Sequence, residues 1–317
     1  MKATARNPEL YTLVMLSMIL TFLPVFIPFE GLLLSILAPF PLIVLAVKYP
    51  WRYVLSLMGF EAGVLAVVGG PPALLSFSQY GAAPLVMAGA VRRGWSLSQI
   101  IASSVLIPVG AGVLLLVVYA LVTRQHLSAL VAAYLEQALR AVQEYFHTVE
   151  QMPGNEPAQE LPLLETVRQF VLAVFPGVLV INHLLTNTVN YVVARYYCSR
   201  GQPPVQLDAE ILTHWRASEY MVWVFIASGA ALLLPVSALS TIGLNVFLVT
   251  LAIYLLQGCA IVVFWAQRLP LPLGVRWLLT LLALVMVGPL CVVLCIAAGL
   301  FDLWADFRRL RHQPLAS

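Results

Sequence analysis

The stretch LSQIIASSVLIPVGAGVLLLVVYALV, residues 97–122, runs for 26 positions without a charged side chain. As an α-helix rising about 1.5 Å per residue, it is long enough to cross the roughly 30 Å of hydrocarbon in a bilayer. Lipid offers no partner for open backbone groups, and a β-barrel would show strictly alternating segments of about ten residues instead. The stretch therefore predicts a transmembrane helix.

The rest of the chain has the same character. Of its 317 residues, 61% are hydrophobic and 10% are charged, whereas a soluble domain carries about 25% charged residues. Apolar blocks between turn signals give nine candidate spans: 10–29, 31–47, 53–69, 72–91, 97–122, 164–194, 219–236, 241–267 and 275–300. The predicted fold is an all-α polytopic transmembrane helix bundle of eight or nine spans.

Charges in the short loops predict the orientation. The loops at 48–52 and 92–93 are basic, and the loop at 69–72 is uncharged, so the positive-inside rule places the N-terminus in the cytoplasm of a bacterial inner membrane. The acidic segment 123–163 is then external. Within it, residues 127–150 repeat apolar positions at helical spacing, which predicts one external amphipathic helix.

The same rule gives conflicting results near the C-terminus. Arg268 and Arg276 favour the cytoplasm, and so do Arg308, Arg309 and Arg311, although a single predicted span separates the two groups. Three alternatives follow: one basic cluster is external, the run containing Pro289 is a re-entrant hairpin, or one later span does not cross. The predicted organisation is a six-span core over 1–200 with the amphipathic insertion at 125–160, then a two- or three-span extension over 201–317.

The most polar stretch inside a span is residues 182–191. His183, Asn187 and Asn190 fall at i, i+4 and i+7, so they share one helical face and offer hydrogen-bonding groups to a bound molecule. Polar residues at membrane depth are costly and often mark functional sites. The alternative is that they bond neighbouring helices, worth about 0.6 kcal/mol each.

Glu61 is the one acid well inside a span in the N-terminal half, where it is a candidate for binding a cation, moving a proton or pairing with an arginine. Gln79, Tyr80, Ser103 and Ser104 are candidates to complete a polar cavity with it. The predicted ligand-binding residues are therefore Glu61, Gln79, Tyr80, His183, Asn187 and Asn190.

Two further patterns have structural interpretations. Gln257 and Gly258 form a small polar break in the eighth span, and glycine there predicts close contact with another helix. Asp302 and Asp306 lie beside Arg308 and an interface tryptophan, which is typical of membrane anchoring.

Several classes of function are disfavoured. The sequence contains no GxSxG, HExxH or P-loop motif, so we expect no catalytic residues, and an ATP-driven activity would need a partner. Basic residues are dispersed, which argues against nucleic acid. The four cysteines show no CxxC pair, so we expect neither a metal site nor a disulfide framework, and we predict no cofactor.

Three C-terminal motifs carry a resemblance to a known group. His214-Trp215-Arg216, Leu256-Gln257-Gly258 and the run 302–308 resemble the YybS-like family of uncharacterised bacterial multi-pass membrane proteins. The first six spans are also similar to the S components of energy-coupling-factor transporters, through the loop at 48–52, the Gly-Gly-Pro-Pro turn and Asn190-Tyr191. That resemblance implies a substrate-binding core with a scaffold subunit and an ATPase as partners. The AxxxA docking pattern of S components is replaced here by Ser17 and Thr21.

The leading hypothesis is a non-enzymatic membrane protein that binds a small solute or lipid, as a transporter component in one interpretation. Its cavity would face outward, lined by the third to sixth spans and covered by the helix at 127–150. The alternative is an assembly or scaffold protein that docks other membrane proteins. A membrane enzyme acting on lipid-linked substrates is a third interpretation.

Overall fold

A computed structural model describes residues 8–27, 34, 36–68, 70–124, 160–200, 212–272, 274–275 and 288–310. Within these ranges all regular structure is helical, which confirms the all-α prediction. The helices are α1 (Pro8–Phe26), α2 (Pro39–Lys48), α3 (Trp51–Val68), α4 (Gly70–Arg92), α5 (Leu97–Thr123), α6 (Glu160–Arg200), α7 (Tyr220–Ala231), α8 (Ser237–Ala266) and α9 (Gly288–Ala305). The predicted amphipathic helix at 127–150 lies outside the described residues.

In the part of the chain that the structure describes, four stretches are long and apolar enough to cross a membrane: Trp51–Val68, Leu97–Thr123, Gln169–Arg200 and Ser237–Ala266. The helix predicted from residues 97–122 is α5, and it begins where Ser96 forms a capping box with Gln99. The remaining described helices are apolar but have shorter apolar stretches. The chain is thus a membrane protein of several apolar helices.

Two helices are shorter than their predicted spans. α2 begins at Pro39 rather than near residue 31, because Pro39 and Pro41 fit the first turn of a helix, where their missing N–H groups need no partner. α7 has 12 residues, which is about 18 Å of helix and less than the hydrocarbon thickness.

The short helix α2 is the centre of the N-terminal half. Eight of its ten residues are buried, and it packs against α1, α3, α4 and α6. Its C-terminal end is held by Lys48, whose ammonium lies 2.6 Å from the Glu9 carboxylate on α1. Partial burial raises the pKa of Glu9, but the hydrogen bond and charge of Lys48, together with hydrogen bonds from Tyr197 and Tyr49, outweigh it, so the pKa lies below its usual range.

The long helix α6 joins the two halves of the molecule. It packs against α2 and α5 on one side and against α8 on the other, and α8 in turn packs against α7 and α9. The contact between α8 and α9 is close at Gly258, where an added Cβ would overlap the backbone of Cys295. The close helix contact predicted from Gly258 is confirmed.

Candidate functional site

The predicted polar face of α6 is fully buried, and its amides bind neighbouring elements. The Asn187 side-chain amide donates to the Ser104 carbonyl on α5 over 2.8 Å. The Asn190 amide donates to the Ile36 carbonyl ahead of α2 over 2.7 Å. His183 is buried beside them. These bonds agree with the alternative that the polar residues of α6 bond neighbouring helices, because the amide donors are already used inside the protein.

Glu61 is also fully buried, between α3 and α1. The Ser17 hydroxyl donates to its Oε1 over 2.7 Å, and within the described ranges its Oε2 has no hydrogen-bond partner. Glu61 is thus hydrogen-bonded to α1, whereas the α6 amides are hydrogen-bonded to α5 and to Ile36. Gln79 and Tyr80 lie in α4, and their side chains are outside the described set.

A cavity of about 320 Å³ lies elsewhere, between α5, α6, α7, α8 and the segment 212–218. Its lining is almost entirely apolar, with hydroxyls only from Ser98, Thr188 and Ser218 and an indole N–H from Trp215. The lining residues are Leu97, Ser98, Ile101, Ala102, Val105, Leu106, Val180, Leu184, Thr188, Leu212, Trp215, Ala217, Ser218, Met221, Val249, Ile253 and Leu256.

The cavity differs from the one expected from the sequence. None of the described candidate residues lines it, and its wall combines α5 and α6 with α7 and α8 of the C-terminal extension. The physical reason is that α2 fills the interior of the N-terminal half with eight buried residues. The face of α6 next to the predicted one, represented by Leu184 and Thr188, forms the lining instead.

A buried ionic cluster lies behind one wall of this cavity. The Arg308 guanidinium lies 2.7 Å from Oδ2 of Asp302, and both side chains are fully buried. The Gln257 amide on α8 donates to the same carboxylate oxygen over 3.1 Å. The Arg216 guanidinium lies 3.7 Å from Asp306, near the surface.

This cluster brings together residues from the three C-terminal motifs quoted from the sequence. Arg216, Gln257 and the run 302–308 are far apart in the sequence and meet at one place in the fold. The anchoring interpretation of the C-terminal run took its charges as interface groups, but Asp302 and Arg308 are internal. The signal in the sequence was the acid and arginine at i, i+6, which become partners because the chain turns after α9 at Asp306.

A second feature had no signal in its local sequence. The Asn245 side chain of α8 accepts a hydrogen bond from the Gly177 N–H over 2.6 Å and donates to the Ala173 carbonyl over 2.7 Å. An uninterrupted helix would join those two backbone groups to each other. Pro176 lies inside α6 between these two residues, where its ring disturbs the helical ladder, and the Asn245 amide binds both groups.

Comparison with known proteins gives one family. A family model described as a predicted membrane protein, DUF2232, matches residues 15–303 of the chain. No curated protein and no solved structure matches.

Proposed function

Since this chain belongs to the DUF2232 family of predicted membrane proteins, we propose that it binds the apolar part of a membrane lipid in the cavity between α5, α6, α7 and α8. The observation that carries the proposal is the cavity of about 320 Å³ and its nearly unbroken apolar lining. Ligand sites are commonly apolar clefts of about 300–1,000 Å³ with a few polar groups.

The lining favours a lipid over a polar solute. A polar solute would lose its water on binding and would find only Ser98, Thr188, Ser218 and the Trp215 indole as partners. A hydrocarbon chain has no hydrogen bonds to lose when it enters an apolar cavity. Such cavities remain dry and take apolar ligands. The polar groups near Ser98 are suited to the end of a lipid where its headgroup begins.

The transporter interpretation belongs to the same proposal, but its docking surface has weak support. Ser17, one of the two small residues that replace the AxxxA pattern, is buried against Glu61. It is therefore not available on the outer face of α1 for a scaffold subunit. We propose lipid binding without dependence on a scaffold and an ATPase.

The alternative role, assembly of other membrane proteins, has one supporting observation. Asn187, Asn190, Asn245 and Gln257 all donate to other parts of the same chain, as residues that only hold helices together would do. Under this alternative the cavity is a packing defect, and no lipid should occupy it in preference to the outer surface.

The test uses a cavity-filling substitution. We expect a phosphatidylglycerol carrying a photoreactive diazirine in its acyl chain to cross-link to the cavity wall on α5, α6 and α8 in nanodiscs. Ala102→Trp should reduce this cross-linking at least fivefold, because the indole would occupy the space beside Ala102. Mass spectrometry of the cross-linked peptides is the measurement.

The matched control is Ala111→Trp, an exposed alanine on the same helix that does not line the cavity. This variant should leave the cross-linking unchanged. Cross-links spread evenly over exposed apolar residues such as Leu114 and Leu115, with no effect of Ala102→Trp, would contradict lipid binding and favour the assembly role.

The ionic cluster also bears on topology. Arg308 contacts the carbonyls of Thr213 and Trp215, so the C-terminal turn and the segment before α7 lie at the same end of the molecule. We infer that the chain crosses the membrane an even number of times between Arg216 and Arg308, so that one of the three predicted spans there does not cross. An external C-terminal arginine cluster is then disfavoured.

This inference predicts the behaviour of reporter fusions. Green fluorescent protein fused after residue 205 and after residue 317 should fluoresce in both cases, because both positions would be cytoplasmic with the N-terminus inside. Alkaline phosphatase at the same two positions should be inactive. Opposite results at the two positions would show an odd number of crossings.

A further inference from the structure

The segment 212–218, which connects α6 to α7, forms one wall of the cavity. Trp215 and Ala217 line the cavity from this segment, together with Leu212 and Ser218. The segment is a turn followed by irregular backbone rather than part of a helix. Its position therefore depends on contacts with other parts of the chain, since it has no helical ladder of its own.

A side-chain hydrogen bond joins the segment 212–218 to α5 on the cavity side. The Trp215 indole N–H donates to the Ser98 hydroxyl over 2.7 Å. The backbone of the segment is held from the opposite side.

That opposite side is the turn after α9. The Arg308 guanidinium donates to the carbonyls of Thr213 and Trp215, over 2.7 and 3.0 Å, while it also pairs with Asp302. Arg308 thus links Asp302 of α9 to the backbone of the wall. The planar guanidinium fixes the directions of its donors, so the three acceptors hold the buried Arg308 side chain in one geometry.

Two further side chains complete the attachment. Gln257 accepts from the Ala217 N–H over 2.9 Å and donates to Asp302, so it bridges the wall and the ion pair. Arg216 donates to the Asp302 carbonyl over 2.8 Å in the other direction. Asp302 is the centre of the arrangement, since Arg308, Gln257 and Arg216 all bind it.

We propose that the ionic cluster of Arg216, Gln257, Asp302 and Arg308 is a latch that holds the segment 212–218 closed over the cavity and thereby controls lipid access. Opening the latch lets the segment move away from α5, because the Trp215–Ser98 bond is then the one described side-chain hydrogen bond that joins it to α5, α8 or α9. The contacts that remain beside it are the apolar packing of Leu212 and Trp215 and the ring contact between His214 and Phe264. The effect on lipid access rests on the proposed function, but the attachment of the segment does not.

The experiment measures the two parts separately in nanodiscs. Asp302→Asn removes the charge that neutralises Arg308 while keeping the shape of the side chain. Hydrogen–deuterium exchange of peptides covering 212–218 should become at least tenfold faster. Dissociation of the diazirine phosphatidylglycerol, followed as loss of cross-linking after dilution into excess lipid, should accelerate at least fivefold.

Three variants make the result specific. Arg308→Lys keeps the charge but loses the planar donors, so it should give an intermediate rate of exchange. Gln257→Met leaves the Asp302–Arg308 ion pair in place but removes the hydrogen bonds of Gln257 to the Ala217 N–H and to Asp302. It serves if Asp302→Asn fails to fold. Glu9→Gln breaks an ion pair on α1, away from the cavity, and should leave residues 212–218 at the wild-type rate.

The possible outcomes are distinct. Equal acceleration in peptides from α1 to α4 would mean general destabilisation and would overturn the latch, as would an unchanged rate at 212–218. Faster exchange at 212–218 with unchanged lipid dissociation would overturn its control of access. If the wild-type cavity shows no cross-linking at all, the proposed function fails, while the exchange data still confirm or refute the attachment of the segment.

Discussion

Replacing Gly258 with alanine is expected to lower the free energy of unfolding by about 3 kcal/mol, the upper end of what overpacking costs. A Cβ at Gly258 would overlap the backbone of Cys295, and a Cβ at Gly299 would overlap the carbonyl of Tyr254. Backbone atoms cannot move aside like the end of a flexible side chain. The helices α8 and α9 would therefore have to separate, which would also disturb the Gln257–Asp302 contact.

The measurement is unfolding of the purified protein in detergent mixtures of increasing SDS fraction. Gly110→Ala is the matched control, because Gly110 is also helical but has open space where its Cβ would lie. Gly110→Ala should be neutral or stabilise slightly, since alanine has the higher helix propensity. Equal stability of the Gly258 and Gly110 variants would contradict the close packing of α8 against α9.

Asn245→Leu is expected to cost about 2–3 kcal/mol, because it removes the side-chain partner of two partly buried backbone groups of α6, at about 1–3 kcal/mol each. The two groups are the Gly177 N–H and the Ala173 carbonyl. Leucine is similar in size to asparagine, so the loss of unfolding free energy measures hydrogen bonding more than packing. The same SDS titration measures it.

A double-mutant cycle separates the free-energy contribution of these Asn245 hydrogen bonds from that of ordinary packing. Pro176→Ala removes the ring that disturbs this turn of α6, so the Gly177 N–H and the Ala173 carbonyl can bond each other and Asn245→Leu should cost less in that background. We expect a coupling energy of at least about 1 kcal/mol, within the range for residues in one hydrogen-bond network. Additive effects of the two substitutions would show that Asn245 does not replace the helical bond.

Part of the site follows from the sequence alone. The burial of His183, Asn187 and Asn190 on one face of α6 follows from their spacing, because helical period decides which side chains point the same way. The hydrogen-bond partners of these side chains do not follow from the helical period. The partner of Asn187 lies 83 residues away and that of Asn190 lies 154 residues away, and nothing in either local pattern identifies them.

The location of the cavity likewise cannot be predicted from the pattern of the sequence. The sequence suggested the third to sixth spans, but α2 is short and buried and fills that region. The cavity described above lies instead where α6 crosses from the N-terminal half to α8. Packing of whole helices decides where a gap remains, and it depends on the shapes of all of them together.

The sequence by itself determined that this chain is a membrane protein of apolar helices, and that Gly258 is a point of close helix contact. Both conclusions follow from local physics: hydrocarbon excludes charges and open backbone groups, and glycine alone admits another backbone. Only the tertiary structure decided that Arg216, Gln257, Asp302 and Arg308 form one buried cluster and that Asn245 completes α6 at Pro176. Those partnerships depend on which helix faces which, and that is set by the packing of the entire bundle.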